Sequence, residues 1–600
     1  MTDSLSFQKA VWQISDVDLH TIGQVTQAHG LTEIAARILS GRGLKSDDIA
    51  SFLYPTLKEH LPDPFSMQGM EVMADDISSA IVAKKSFAIF GDFDVDGATS
   101  SALLHRFLKH LSVDAPIYIP GRLTEGYGPN ADALQALRDD GAEILFLLDC
   151  GTTAFEPVAA GREMGLEITI LDHHEAEENL PDCAHLINPK RQDDESGLDV
   201  LAAVGVTFMA CIAINSKLRA LGFYTDNNIS EPPLISWLDI VALGTVCDMV
   251  PLLGVNRLFV KRGFEVMQTT QNPGLQELIR VSKVKPPYST YHAGFVLGPR
   301  INAGSRVHKS DLGARLLSTD DVSEANDIAF TLDDCNAKRK SIQSAMEEEA
   351  IAQAEDEGLD EHPVIFVASE NFHQGMSGLV AGRLKEKYGK PAVVAAIIDE
   401  GGVCEVRGSG RSVAGIHIAQ AFIDARQEEL ITKGGGHAMA GGFSMSVDQI
   451  DAFRHFLNDH VARQVESSVP NIITALDAVI TVRGATPNLV HQITDAIGPF
   501  GQSFAEPLFL LRNVRVHKVD VVGAAHIRVM VSDWEGGQWM KAMAFRAVGT
   551  PLGDALLKRQ NEAFDLVGTL KIDDWTGTEK TEMHIRDGAF SLSEQDLLTG

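Results

Sequence analysis

The stretch Ser86–Leu104, SFAIFGDFDVDGATSSALL, constrains the fold of this chain more than any other. An apolar run, Phe87–Phe90, lies between Lys85 and Gly91 and reads as a short buried strand. Asp92, Asp94 and Asp96 follow at every second position, then Gly97, then a helix entered through Thr99 and Ser100. Carboxylates this close at the end of a strand repel one another, and a fold keeps such a cluster where a cation neutralises it. A solvated acidic loop or an Asx-rich turn has the same composition, so the rest of the chain decides.

Apolar strands alternate with helical patterns from Ser86 onward. Met70–Val82 reads as the helix leading in, and Ile117–Ile119 as a strand followed by the glycine-punctuated GRLTEGYG. Ala131–Leu137 is helical, Ile144–Leu148 is a strand ending in Asp149, and Leu166–Leu171 is a strand ending in Asp172, His173 and His174. This rhythm predicts an α/β fold with a doubly wound parallel sheet, whose ligands sit beyond the carboxyl ends of the strands. Trp237–Leu252 reads as a buried helix broken at Gly244, with Asp248 in the loop after it.

The remaining segments divide as follows. Residues 1–69 read as an N-terminal helical segment, 70–322 as the first α/β domain and 323–357 as a long connecting helix free of Gly and Pro. Residues 358–468 read as a second α/β domain, with VRGSGRS (Val406–Ser412) as a basic glycine loop followed by GGGHAMAGG (Gly434–Gly442). Short alternating strands over 469–600 predict a small OB-like β-barrel.

A chain of 600 residues exceeds what one core holds. Its net charge of −31 opposes an extended basic face but leaves room for a local basic groove. The six cysteines form no CxxC pair, so neither structural zinc nor a disulfide framework is indicated. The N-terminus lacks a signal-peptide pattern, and no run reaches the roughly 18 to 20 apolar residues a bilayer needs. The expectation is a cytoplasmic protein with no membrane partner.

The polar groups at strand ends, Asp92, Asp94, Asp96, Asp149, His173, His174 and Asp248, make a mixed oxygen and nitrogen ligand set without thiolates. That set suits Mn²⁺ or Mg²⁺, and its excess of anions suits two ions sharing a carboxylate, about 3.5–4 Å apart, as in phosphoester hydrolysis. His185 and His292 read as ordinary structural histidines.

Four segments, GDFDVDGATS, LLDCGTT, LDHHE and GTVCDMVPL, resemble in that order the motifs of the DHH phosphoesterases. GSGRS and GGGHAMAGG resemble the DHHA1 domain that follows in many members. RGLKSDDIASFLYPTLKEHLPDPFSM, GRLTEGYG, LGPRINAGSR and the terminal barrel extend the resemblance, over nearly the whole chain, to the branch of single-strand-specific exonucleases. This resemblance implies metal binding by Asp92, Asp94, Asp96, Asp149, His173 and Asp248. It makes Asp94, Asp149 and His174 catalytic, with Asp94 and Asp149 bridging and His174 near the scissile phosphate, and leaves open whether Asp92 or Asp96 is the more direct ligand. It further implies two Mn²⁺ or Mg²⁺ ions and hydrolysis of single-stranded DNA from the 5′ end in recombination and repair. Single-strand-binding protein, helicases and recombination proteins are the implied partners. Gly382 stands where relatives carry serine.

Arginines flanking glycine loops fit a phosphate cradle: Arg300 and Arg306 around a tight INAGS loop within LGPRINAGSR, and Arg407 and Arg411 around GSG. Arg122, Ser409 and His437 join them as DNA-binding candidates, and Trp534, Trp539 and Trp575 could stack on bases. Two alternatives compete: a DHH hydrolase of short oligonucleotides or cyclic dinucleotides, and a non-catalytic single-strand-binding replication factor.

Overall fold

The fold was analysed in a computed structural model that describes residues 6–400, 403–467, 472–558, 562–574, 577–591 and 598–599. The chain forms two compact units: Asp63–Val250 with Arg262–Pro470, and Met1–Pro62 with Pro251–Lys261 and Asn471–Gly600.

The first unit opens with a five-stranded sheet that is parallel throughout. In chain order its strands are Phe87–Gly91, Ile117–Tyr118, Ile144–Leu148, Glu167–Leu171 and His185–Ile187, arranged in space as 2-1-3-4-5. FAIFG and ILFLL are buried at every position, because both faces of the sheet are covered. Ala88, Phe90, Leu145 and Ile168 share a core with Leu134 and Leu137 of the helix Ala131–Asp139 and Val158 of Phe155–Glu163. Helices Val95–His110 and Ala203–Ala220 pack on the sheet as well. The strand order reverses between the first and third strands, which opens a crevice at their carboxyl ends.

Two glycines fix how the helices meet the sheet. The helix after the first strand starts at Val95, earlier than Thr99, and a Cβ on Gly97 would lie 2.3 Å from the Asp92 carbonyl oxygen. Only glycine lets this turn fold back onto the strand end. The helix Leu238–Cys247 runs through Gly244 without the expected break. A Cβ there would lie 2.2 Å from Thr99 Oγ1, so the glycine serves close helix packing.

Ala203–Ala220 is an apolar helix of 18 residues, long and apolar enough by length and composition to cross a bilayer, contrary to the expectation that no such run exists. It is mostly buried within its own unit, as the core helix of a domain would be.

The connecting helix runs from Val322 to Asp356, capped by Asp321, whose carboxylate accepts from the Ser323 and Glu324 amides. It leads to a mixed sheet in the order Lys433–His437, Ala440–Ser446, Val403–Arg411, Ala392–Glu400, Ile365–Ser369. VRGSGRS is therefore mostly strand rather than loop. Its glycines make room for rings: a Cβ on Gly408 would lie 2.2 Å from Phe443 Cζ, and one on Gly410 2.8 Å from Phe422 Cζ. GGGHAMAGG is the adjacent hairpin. LGPRINAGSR also departs from the expected loop and forms the helix Gly298–Val307 after a π-helical turn, His292–Leu297. A Cβ on Gly298 would meet Cys247 Sγ at 2.4 Å, so this glycine too marks close packing.

The second unit groups the two ends of the chain. The N-terminal segment is not wholly helical: Ala10–Ile14 is a strand paired in parallel with Ile472–Leu476. Helices Leu19–His29, Glu33–Gly41 and Ser46–Leu53 follow, and Ile22, Val25, Ile38 and Leu39 enter one core with Val514, Val529 and Leu566. The strands Phe509–Val522, His526–Asp533, Met540–Ala544, Lys580–Phe590 and Ala563–Asp573 are neighbours in that order, and the last pairs back with the first to close a barrel. In chain order this is 1-2-3-5-4, the OB topology. Trp534 and Trp539 are exposed on it, whereas Trp575 lies outside the described residues.

A paired substitution checks the glycine reading. Gly97→Ala is expected to destabilise its unit by about 1–3 kcal/mol or more through overpacking. Gly382→Ala, within the helix Ser377–Tyr388 and with nothing within 4 Å of the new methyl, is expected to stabilise by about 0.5–1 kcal/mol. Urea denaturation of both variants measures this, and equal midpoints would contradict it.

Candidate metal centre

Each acidic or imidazole side chain of the centre leaves a structural terminus. Asp92 follows the first strand, and Asp94 is the N-cap of Val95–His110, accepting from the Asp96 and Gly97 amides at 2.9 and 3.1 Å. Asp96 lies in the first helical turn and accepts from Ala203 N at 2.7 Å and Val204 N at 2.9 Å. It thereby caps the helix Ala203–Ala220, which has no side-chain cap of its own at Ala202. Asp149 follows the third strand in a left-handed conformation, φ 60°. His173 and His174 follow the fourth, and Asp248 ends the helix Leu238–Cys247.

These groups converge. His173 Nε2 lies 3.4 Å from Asp149 Oδ1, 3.5 Å from Asp248 Oδ2 and 3.8 Å from Asp96 Oδ2. Candidate ligand atoms gather within 4.8 Å of one another in three overlapping sets: Asp92, Asp94 and Asp149; Asp96, His173 and Asp248; and Asp149, His173 and His174. Asp149 thus adjoins both histidines and the Asp92–Asp94 pair, whereas Asp94 belongs to one set only.

The donor set fits a divalent cation. Asp92 Oδ1, Asp149 Oδ1, Asp248 Oδ2 and His173 Nε2 are buried without a hydrogen-bond partner among the described residues. Unsatisfied buried carboxylates are costly, and three of them with an unpartnered imidazole in overlapping sets ask for cations. Burial and neighbouring carboxylates raise Asp92 and Asp149 well above the usual carboxylate range, Asp96 to about 7 and Asp248 to about 9. Burial lowers His173 to about 4, so its imidazole is neutral and able to ligate at pH 7.

His174 is held differently. Its Nδ1 lies 2.7 Å from Asp172 Oδ1. Burial opposes charge on both partners, yet their mutual hydrogen bond prevails, raising His174 and lowering Asp172. Asp172 also accepts from the amides of Thr152 and His173, at 3.0 and 2.8 Å. It is saturated by the protein and acts as an orienter. Tyr127 OH donates to the Asp149 carbonyl at 3.2 Å and approaches the His174 ring. The sequence reading assigned no role to Tyr127, although it sits in GRLTEGYG between two positive-φ glycines.

Beside the centre lies a group of guanidinium groups. Arg122 stacks over the Phe93 ring at 4.6 Å and feels the charges of Asp92 and Asp94. Burial, with Arg122, Arg339 and Arg411 nearby, pushes Arg306 down to about 9. Burial and Arg122 likewise lower Arg411. Among the described residues, Arg306 donates to the Gly375 carbonyl and Arg411 to the Gly410 carbonyl, and neither they nor Arg122 form an ion pair with a carboxylate. Arg411 Nη2 reaches the start of the helix Ser377–Tyr388, 2.7 Å from where a Gly378 Cβ would be. Ser377 Oγ is also buried and unpartnered. Ser377 and Arg339 carried no chemistry-bearing pattern in the sequence.

Other candidates stand elsewhere. Arg300 is committed to Asp333 at 2.8 Å and to the Val296 carbonyl. Arg407 pairs with Glu405 at 2.7 Å. Ser409 lies mid-strand, His437 ends the edge strand Lys433–His437, and Gly382 faces open space. His185 pairs with Asp76 at 3.3 Å, and His292 Nδ1 accepts from the Ser289 amide, as structural histidines do.

The raised carboxylates have a thermodynamic consequence. Between the unfolded value near 4 and the folded values, the native state holds more protons, so stability is present at low pH and lost as pH rises. His173, depressed when folded, acts oppositely between about 4 and 6.5, so the carboxylate trend stands clear above that. Chelator-treated protein is expected to melt at progressively lower temperature from about pH 6.5 to 9, with saturating Mn²⁺ removing the decline. A metal-free melting temperature that climbs over this range would refute the assignment.

Comparison with known proteins places the chain. The family model described as DHH family, N-terminal domain matches residues 86–245, the DHHA1 domain matches 361–463, and the RecJ OB domain matches 476–587. The chain is 31% identical over 565 residues to the single-stranded-DNA-specific exonuclease RecJ of Salmonella typhimurium, covering 93% of this chain and 96% of that protein. It is 32% identical over 523 residues to the Escherichia coli protein of the same name, covering 86% and 89%. The crystal structure of Thermus thermophilus RecJ in complex with Mn²⁺ superposes with a TM-score of 0.80 at 25% identity, over 99% of this chain and 81% of that one. From the strand-end carboxylates to the terminal barrel, the chain belongs to the RecJ family.

Proposed function

We propose that this protein is a Mn²⁺- or Mg²⁺-dependent exonuclease that hydrolyses single-stranded DNA from the 5′ end. The observation that carries this reading is the juxtaposition of buried, unpartnered ligand atoms with guanidinium groups that have no carboxylate partner. One half of that arrangement suits divalent cations and the other a phosphate. The names and bound metals of the relatives support the same activity.

Asp92, Asp94 and Asp149 would hold one cation and Asp96, Asp149, His173 and Asp248 a second, with Asp149 shared. On this reading Asp92 and Asp96 would serve different ions, and Asp149 rather than Asp94 would be the carboxylate common to both. When bound, such a pair supplies a deprotonated water and neutralises charge on the attacking and leaving oxygens. The protein's own residues do the rest. His174, braced by Asp172, presents its ring to the scissile phosphate. Arg122, Arg306 and Arg411, with Ser377 Oγ, grip a terminal 5′-phosphate, which sets polarity by fixing the end of the strand. Ser409 and His437 lie on the neighbouring strand and hairpin and extend the contact to the backbone. Arg300 and Arg407 act through their carboxylate partners. Single-strand-binding protein is the proposed partner, with helicases and recombination proteins beside it, in the cytoplasm.

Three substrates test this. With Mn²⁺, a 5′-labelled single strand is expected to release labelled mononucleotide at once, and a blunt duplex to persist. Asp149→Ala is expected to reduce turnover to background. Arg411→Ala is expected to lower the preference for a 5′-phosphate over a 5′-hydroxyl end by about 10–100-fold, as for loss of a charged hydrogen bond. Label released last, or activity confined to di- and trinucleotides, would defeat the reading.

A further inference from the structure

We propose that Asn188 and Thr152 form a buried positioning relay that fixes His174 for turnover without taking part in metal binding. The proposal deepens the functional reading above and rests on it for the role of His174.

Asn188 is the first residue beyond the strand His185–Ile187 and is fully buried. Its Nδ2 donates to Thr152 Oγ1 at 3.0 Å and to the His174 carbonyl at 2.8 Å, and its Oδ1 accepts from the Lys190 amide at 2.9 Å. A buried carboxamide is retained where its donors and acceptor are satisfied, and here three bonds tie it to two other segments and its own loop. Thr152, 1% exposed, follows the third strand, and its amide donates to Asp172 Oδ2 at 3.0 Å. Asp172 Oδ1 in turn holds His174 Nδ1 at 2.7 Å.

These bonds close a ring: Asn188, Thr152, Asp172, His174 and back to Asn188. His174 is therefore gripped twice, by its ring through Asp172 and by its carbonyl through Asn188. One grip sets the ring plane and the other sets where the backbone carries it. Among the described residues, neither Asn188 nor Thr152 is hydrogen-bonded to the side chain of Asp92, Asp94, Asp96, Asp149, His173 or Asp248. Loss of the relay should thus free His174 while leaving the cation ligands in place. A tie that merely supported the fold would behave otherwise, weakening stability, cation affinity and turnover together.

The relay also ranks its members. Thr152 bonds Asp172 through its backbone, which any residue keeps, and bonds Asn188 through its hydroxyl, which serine keeps and valine loses. Asn188→Asp preserves shape but sets an oxygen against the two oxygens that Nδ2 now serves.

The full-length enzyme with Mn²⁺ and a 5′-phosphorylated single strand provides the test. Asn188→Ala, Asn188→Asp and Thr152→Val are expected to lose about 10–100-fold in kcat, as for other residues that orient a ligand from behind. KM and the calorimetric Mn²⁺ Kd should stay within about twofold, and Thr152→Ser should retain wild-type turnover. A readout independent of activity, taken with diamagnetic Mg²⁺ in place of Mn²⁺, is the downfield Nδ1–H proton resonance of His174, assigned by its absence in His174→Gln. It is expected to persist in Thr152→Ser and to broaden or vanish in Asn188→Ala. Unchanged kcat in Asn188→Ala, a parallel loss of Mn²⁺ affinity, equal impairment of Thr152→Ser and Thr152→Val, or an unmoved His174 resonance would each overturn the proposal. Wild-type protein that leaves single-stranded DNA intact would instead defeat the functional reading, and the resonance would still report on the relay.

Discussion

Mutual repulsion among carboxylates gathered at the end of a parallel sheet is the constraint on which the rest of this molecule depends. Two like charges about 4 Å apart cost about 4 kcal/mol even at an effective dielectric near 20. The protein offsets part of this with its own amides. Asp94 receives two from the helix it caps, and Asp96 two from the start of Ala203–Ala220. Asp92, Asp149 and Asp248 keep buried oxygens that receive no hydrogen bond from the described residues. The fold therefore commits amides to the two aspartates at helix termini and leaves the other three with fewer protein partners, a deficit that cations would offset.

Holding that arrangement requires backbones to approach more closely than side chains allow. Gly97 lets the first helical turn lie against the Asp92 carbonyl, and Gly244 lets Leu238–Cys247 lie against Thr99, one turn from Asp96. The same device recurs in the second sheet, where Gly408 and Gly410 yield to Phe443 and Phe422, and Gly378 to the Arg411 guanidinium. Gly244, which reads as a helix break, and Gly408 and Gly410, which read as loop glycines, are vacancies for neighbours.

This distinction explains what could be read from the sequence. The parallel sheet was legible because FAIFG and ILFLL are continuous apolar runs, a pattern left by burial on both faces. The convergence of the candidate ligands was legible because strand ends and aspartates coincided. VRGSGRS and LGPRINAGSR were misread because glycine has two physical uses, freedom of φ and absence of a side chain, and composition does not separate them. The strand Ala10–Ile14 was hidden because its partner, Ile472–Leu476, lies more than 450 residues away. Tyr127, Ser377, Thr152 and Asn188 were missed for a related reason. Tyr127, Thr152 and Asn188 each bond to groups distant in sequence, and Ser377 lies near Arg411 only in the fold, relations that no local pattern records.

The net charge of −31 then takes on a different meaning. An acidic surface repels phosphates everywhere except where positive charge is concentrated and not already paired. Most arginines here do have carboxylates: Arg300 has Asp333, Arg407 has Glu405, and Arg219 has Glu231. Arg122, Arg306 and Arg411 instead face one another, each disfavoured by burial. Keeping three guanidinium groups together costs stability unless an anion joins them, just as the neighbouring carboxylates require cations. The two frustrations are complementary, since a phosphodiester seated between them would relieve the first and divalent cations would relieve the second. An acidic body with a basic pocket that has no carboxylate partner among the described residues would thereby favour a nucleic acid beside the candidate metal centre and discourage it elsewhere.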